Sequence, residues 1–171
     1  MNIPIIGFAA YSGTGKTTLI TQIVRELKAQ GYRVCVIKHD AHQFEIDREG
    51  KDSWRFAQAG ADMTILSSPA KTAMIEQRER SFSQVTAMVH DVDLVLVEGY
   101  KQENIPRIGI CRKATGKGLP HPVGTYIGLV TDDDSIFTEG IPVFSLEDIS
   151  GITAFIKTAA GLESVPKPES L

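Results

Sequence analysis

Residues 10–17 read Ala10-Tyr11-Ser12-Gly13-Thr14-Gly15-Lys16-Thr17, directly after an apolar run from Ile3 and directly before a helical pattern. The order is therefore strand, loop, helix. In the helix, Ile20, Ile23, Val24 and Leu27 recur at the spacing of one buried stripe, and Gly31 supplies a stop. Arg33 to Lys38 (RVCVIK) follows as a second strand. The helix between the two strands is long enough for a right-handed crossover, which makes the unit parallel.

The eight residues fit the Walker A pattern, with alanine in place of its first glycine. Glycines let successive backbone N–H groups converge on an anion, and the helix N-terminus adds partial positive charge. A polyphosphate is the natural occupant, so Ser12, Gly13, Thr14, Gly15, Lys16, Thr17 and Thr18 are the candidate phosphate-binding residues. Lys16 is expected to reach the β- and γ-phosphates, Thr17 to ligate a bridging Mg²⁺, and Thr18 to reach the α-phosphate. Two carboxylates suit the metal. Glu98 follows the apolar run DLVLV at the position of a Walker B acid, and Asp40 follows the second strand. The alternative for each is a solvated carboxylate at a strand end.

Further along, Asp40 to Gly50 reads as a loop or small hairpin, Asp52 or Ser53 can cap a short helix ending near Gly60, and MTILSS and TAMIE read as strands. Ser81 or Ser83 can cap a helix with Phe82, Val85 and Val89 on one face and Met88 beside it. Asp93 to Val97 has the continuous apolar run of a parallel strand covered on both faces. Arg107 to Cys111, Tyr126 to Val130 and Pro142 to Leu146 are further strands. An amphipathic helix carrying Ile149, Ile152, Phe155, Ile156 and Ala159 follows, stopped at Gly161. Alternating strands and helices imply one three-layer α/β domain over residues 1–161 with a mostly parallel central sheet and a frayed tail over 162–171. Ligands of such sheets bind beyond the C-terminal strand ends.

Composition narrows the function. The 171 residues carry 18 Lys plus Arg against 21 Asp plus Glu, a net charge of −3, which argues against a dedicated nucleic-acid binder. Apolar runs such as Leu94 to Val97 fall far below the ~18 residues that span a bilayer. No positively charged leader precedes the motif, and Cys35 and Cys111 read as reduced thiols within strands, so a cytoplasmic protein is expected.

The chain resembles the MobB family of P-loop GTP-binding proteins. The resemblance is carried by AYSGTGKTT, IKHDAH with Asp47, GKDS at 50–53, AGA at 59–61 and LVEGYK at 96–101, and it covers residues 3–160. It implies a P-loop NTPase fold and a small, often dimeric protein that binds GTP with Mg²⁺ and hydrolyses it weakly. It also implies that the protein assists the guanylyltransferase MobA in joining GMP to molybdopterin. MinD-type relatives carry a lysine where this chain has Tyr11, so lysine exchange across a dimer is not expected.

Guanine recognition has no NKxD signature. The nearest counterpart is Thr131-Asp132, where a carboxylate can accept from guanine N1 and N2; the alternative is that Asp132 to Asp134 cap a turn. His39, His42, Asp47, Lys51 and Asp52, with Lys101, are candidates to hold a second anionic ligand such as a pterin phosphate, or to form a dimer or partner surface. Trp54 and Phe56 cannot share one helix stripe; core packing is expected for them, with exposure of one at an interface as the alternative, and His90 and His121 read as structural. The basic loop Arg112 to Lys117 reads as solvated, with closure over phosphates as the alternative. Lys16 and Glu98 are the catalytic candidates. The competing function is an ATP-dependent kinase or ligase of a small metabolite.

Overall fold

The computed structural model describes residues 3–39, 44, 46–136, 138 and 140–162. Asp40 and His42, and the tail beyond Leu162, lie outside the described residues. In chain order the elements are β1 (Ile5–Ala9), α1 (Lys16–Ala29), β2 (Val34–Lys38), α2 (Asp52–Gln58), β3 (Met63–Ser67), β4 (Thr72–Glu76), α3 (Phe82–Thr86), β5 (Leu94–Glu98), β6 (Arg107–Cys111), β7 (Gly128–Thr131), β8 (Val143–Phe144) and α4 (Ile149–Ala159). They fall into two compact units, Met1–His39 with Val89–Leu171, and Asp40–Met88.

The larger unit is built on a six-stranded sheet of order β2-β5-β1-β6-β7-β8, every pair parallel. Period-two alternation gives each strand two buried faces, which is why the sequence reads as unbroken apolar runs. Ile6, Phe8, Leu94, Leu96, Ile108, Ile110 and Val130 join Ile20, Ile23 and Leu27 of α1 and Ile152 and Ile156 of α4 in one buried cluster. The opposite parity, with Ala9 and Leu129, packs with Tyr126 beneath Leu119, Val123, Ile136 and Ile141 of the connecting segments. Leu162, placed by the sequence pattern in the tail, is buried in the first cluster.

Helix α4 is capped by the Asp148 carboxylate, which accepts from Gly151 N–H at 2.9 Å. Cys35 and Cys111 are both free, and burial raises both thiols above their ordinary pKa.

The smaller unit holds α2, the antiparallel hairpin of β3 and β4, and α3. Lys51 occupies the N-cap of α2, one residue before the position the sequence pattern suggested, while the buried Ser53 donates to Asp47 Oδ1 at 3.0 Å. Ser81 forms a capping box with Gln84, but α3 stops at Thr86 and buries none of its residues. The expected face of Phe82, Val85 and Val89 therefore does not form within the helix, since five residues make barely more than one turn. Phe56 is 59% exposed while Trp54 is half-buried, the alternative rather than the core role for Phe56, and Met63, Ile65, Leu66 and Met74 of the hairpin are exposed too. Arg80 and Arg78 both bond Glu76 and hold its carboxyl below the usual range.

Candidate functional site

The loop between β1 and α1 leaves the sheet where β1 lies between β5 and β6, at the C-terminal strand ends. Chain connections diverge on the two sides of this strand, which opens a crevice there. Thr14 is buried and its hydroxyl donates to Tyr11 O at 3.0 Å, closing the bend from inside. Gly15 is the N-cap of α1 at φ 85°, a left-handed conformation that glycine adopts without a Cβ penalty. Helix α1 has no side-chain cap and no acid in its first turn. Its leading N–H groups and its partial positive charge are thus available to an anion.

Three side chains converge at this point. Lys16 Nζ stands 3.2 Å from Glu98 Oε1, and Thr17 Oγ1 lies 3.5 Å from both Glu98 oxygens. Glu98 reaches them because β5 pairs with β1 in a register that sets Glu98 opposite Phe8. It is also opposite Lys38 of β2, and its carbonyl accepts from His39 N–H at 2.8 Å. The turn beyond it is tight: Gly99 takes φ 95°, Tyr100 takes φ 46°, and the His39 and Tyr100 rings stack with centroids 4.3 Å apart. The two sequence motifs IKH and VEGYK therefore meet side by side.

Lys101 places its ammonium 5.6 Å from the centre of the Tyr11 ring, beside the phosphate loop. Its backbone is anchored by the buried Arg107, which donates to Lys101 O at 2.6 Å and to Glu103 O. Arg107 was not singled out in the sequence, where a lone arginine opening a strand carries no motif. His121 lies 3.4 Å from the same guanidinium; desolvation, then Arg107 and Lys101, hold its pKa below the ordinary value. The basic loop is solvated as expected, with Arg112, Lys113, Gly116 and Lys117 exposed, yet it touches the phosphate loop. Lys117 Nζ donates to Ser12 O at 3.4 Å, and a methyl added to Gly15 would stand 4.0 Å from Arg112 Nη1.

Other candidates are placed differently. Asp132 Oδ1 accepts from Lys113 N–H at 2.6 Å, Thr131 Oγ1 accepts from Asp133 N–H at 3.0 Å, and Asp133 Oδ1 accepts from both groups of Ser135. Asp47, Lys51 and Asp52 belong to the smaller unit, where Asp47 also accepts from Arg48 N–H at 2.8 Å. Among the described residues no cluster of three or more His, Cys, Asp or Glu side chains can hold a metal by itself. The hydroxyl of Thr17 and the carboxylate of Glu98 are the hard oxygen donors that suit Mg²⁺, an ion that takes one or two protein ligands and completes its shell with phosphate and water.

A parallel sheet whose first strand passes through this loop into a helix, with a lysine and a hydroxyl facing a strand-end carboxylate, defines a P-loop protein of the nucleotide-binding class. Within that class, the family described as MobB, molybdopterin guanine dinucleotide synthesis protein B, matches residues 5–132, and the chain belongs to it. It is 44% identical over 122 residues to the molybdopterin-guanine dinucleotide biosynthesis adapter protein of Haemophilus influenzae, covering 69% of this chain and 68% of that one. To the Escherichia coli protein of the same name it is 32% identical over 160 residues, covering 90% and 91%. The crystal structure of MobB from Bacillus subtilis shares its fold, with a TM-score of 0.76 at 23% identity over 92% of this chain and 98% of that chain. No described helix is long and apolar enough to cross a membrane.

Proposed function

We propose that this protein binds GTP with Mg²⁺ at the loop of residues 12–18, hydrolyses it slowly, and acts in the cytoplasm as an adapter for a MobA-type guanylyltransferase that attaches GMP to molybdopterin. The observation that carries the reading is the convergence of Lys16, Thr17 and Glu98 on one loop in a member of this family. The relatives' name supports the pathway.

Backbone N–H groups of the loop and of the first turn of α1 bind the phosphates, and Lys16 transfers its ammonium from Glu98 to the β- and γ-phosphate oxygens as they arrive. Thr17 and Glu98 would hold Mg²⁺, and the ion would supply positive charge to the phosphate oxygens. Glu98 is then a metal-site carboxylate rather than a proton acceptor. Lys101 and Lys117 add positive charge at the rim.

The exposed apolar residues of the second unit support a homodimer. A two-stranded hairpin is marginal in water by itself, and β3 and β4 expose Met63, Ile65 and Met74 on one face. His39 and Lys101 of the larger unit, and separately Asp47, Lys51 and Asp52 of the smaller one, remain candidates to meet a molybdopterin phosphate or to form a dimer or partner surface.

The test is reconstitution of dinucleotide formation from guanylyltransferase, molybdopterin and Mg-GTP, with and without this protein. Stimulation by the wild type and none by Lys16→Ala is expected. Equal stimulation by both would remove the nucleotide from the role, and ATP-driven phosphorylation of a metabolite would favour a kinase.

A further inference from the structure

Beside the phosphate loop lies a cavity of about 320 Å³ lined by Thr14, Gly15, Thr18, Leu19, Gln22, Arg112, Leu146, Glu147 and Ile149. Its size falls at the lower end of the roughly 300–1,000 Å³ usual for small-molecule pockets. Because it shares Thr14, Gly15 and Thr18 with the loop, a nucleotide whose α-phosphate meets Thr18 has its nucleoside directed here. Leu19, Leu146 and Ile149 offer the flat faces of a base an apolar wall, and Gln22, Arg112 and Glu147 offer polar groups at the edges.

Glu147 is the one carboxylate among the lining residues. It sits on the short turn between β8 and α4, and both flanks of that turn are fastened: Glu147 N–H donates to Ser145 Oγ at 3.3 Å, and Ile149 N–H donates to Glu147 O at 3.0 Å. Among the described residues no hydrogen bond or ion pair occupies its side chain, whereas Asp132 Oδ1 accepts from Lys113 N–H and Asp132 does not line the cavity.

Guanine presents two adjacent donors, N1–H and the 2-amino group, which match the two oxygens of a carboxylate. Adenine presents an acceptor at N1, which a carboxylate repels. Resting on the GTP-binding reading, we propose that Glu147 is the residue that selects guanine and that Asp132 is a structural tie for the loop after β6. Arg112 also lines the cavity, near Gly15, and contributes a planar cation against the base or the α-phosphate.

The experiment is competition of GTP, XTP and ATP against a fluorescent GTP analogue on the full chain, with Mg²⁺, for wild type, Glu147→Gln and Asp132→Asn. Losing a charged double hydrogen bond weakens GTP about ten- to a hundredfold, while the new amide N–H donates to the 2-carbonyl of xanthine and raises XTP affinity. The GTP-to-XTP preference is therefore expected to fall sharply in Glu147→Gln and to stay unchanged in Asp132→Asn. Because the readout is a ratio, partial misfolding cannot mimic it. A wild type that binds GTP, with Glu147→Gln keeping its preference or Asp132→Asn losing it, overturns this assignment alone. A wild type that binds no triphosphate overturns the GTP-binding reading with it.

Discussion

Replacing Gly99 by alanine tests whether the site depends on the turn that follows β5. Gly99 has φ 95°, and a left-handed alanine costs about 1–2 kcal/mol. An added Cβ would also lie 2.7 Å from His39 O and 3.0 Å from His39 Cβ. Neither atom can retreat freely, since His39 N–H is bonded to Glu98 O at 2.8 Å and its ring stacks on Tyr100. Forcing an atom into such packing typically costs about 1–3 kcal/mol, so the whole penalty is about 2–5 kcal/mol. At a urea dependence of about 2 kcal/mol/M, the unfolding midpoint falls by about 1–2.5 M. GTP affinity should fall as well, because relief of the clash shifts Glu98 away from Lys16 and Thr17. A midpoint within about 0.25 M of wild type together with unchanged binding would refute the reasoning.

Other consequences are open to direct measurement. Thr153 is fully buried in α4 and its hydroxyl has no partner among the described residues. Thr153→Val should therefore raise stability by about 1 kcal/mol in urea titration, and a loss of stability would show that the hydroxyl is satisfied. His121 is held below its ordinary pKa of 6.5, so the unfolded chain takes up its proton first as the solution is acidified. The stability linked to this group is complete above pH 6.5 and is lost as pH falls through the lower folded value; the thermal midpoint of wild type should drop more steeply there than that of His121→Gln. Ile65 is 60% exposed on β3. Light scattering is expected to report a dimer for wild type and a monomer for Ile65→Lys, and a monomeric wild type would end the dimer reading.

Much of the fold could be read from the residues because local pattern and global packing agree. The i, i+3, i+4 stripe of α1 became the core face, the continuous apolar run of β5 became a strand buried on both sides, and the Walker A spacing placed Lys16 and Thr17 on a helix start. Glu98 was legible for the same reason, as the first polar residue after a buried strand. The cavity residues were not. Leu146 and Glu147 come from a connection that only the sheet order brings beside α1, and no periodicity or spacing encodes that meeting, whereas the basic loop with Arg112 had closure over phosphates as its alternative reading. Thr131-Asp132 stands at a strand end like the motif it parallels, and the contact of Asp132 Oδ1 with Lys113 N–H is one that spacing in the sequence does not encode. Helix α3 is shorter than its pattern suggests because a capping box announces where a helix begins and says nothing of where it ends.

The most direct measurement is isothermal titration of the full chain with GTP, with and without Mg²⁺, for wild type and Lys16→Ala. One site per chain is expected in wild type, weakened without Mg²⁺, and about ten- to a hundredfold weaker in Lys16→Ala, the loss that follows from removing a charged phosphate contact. Equal affinity in the two proteins, or no binding of any nucleoside triphosphate by wild type, would contradict the account.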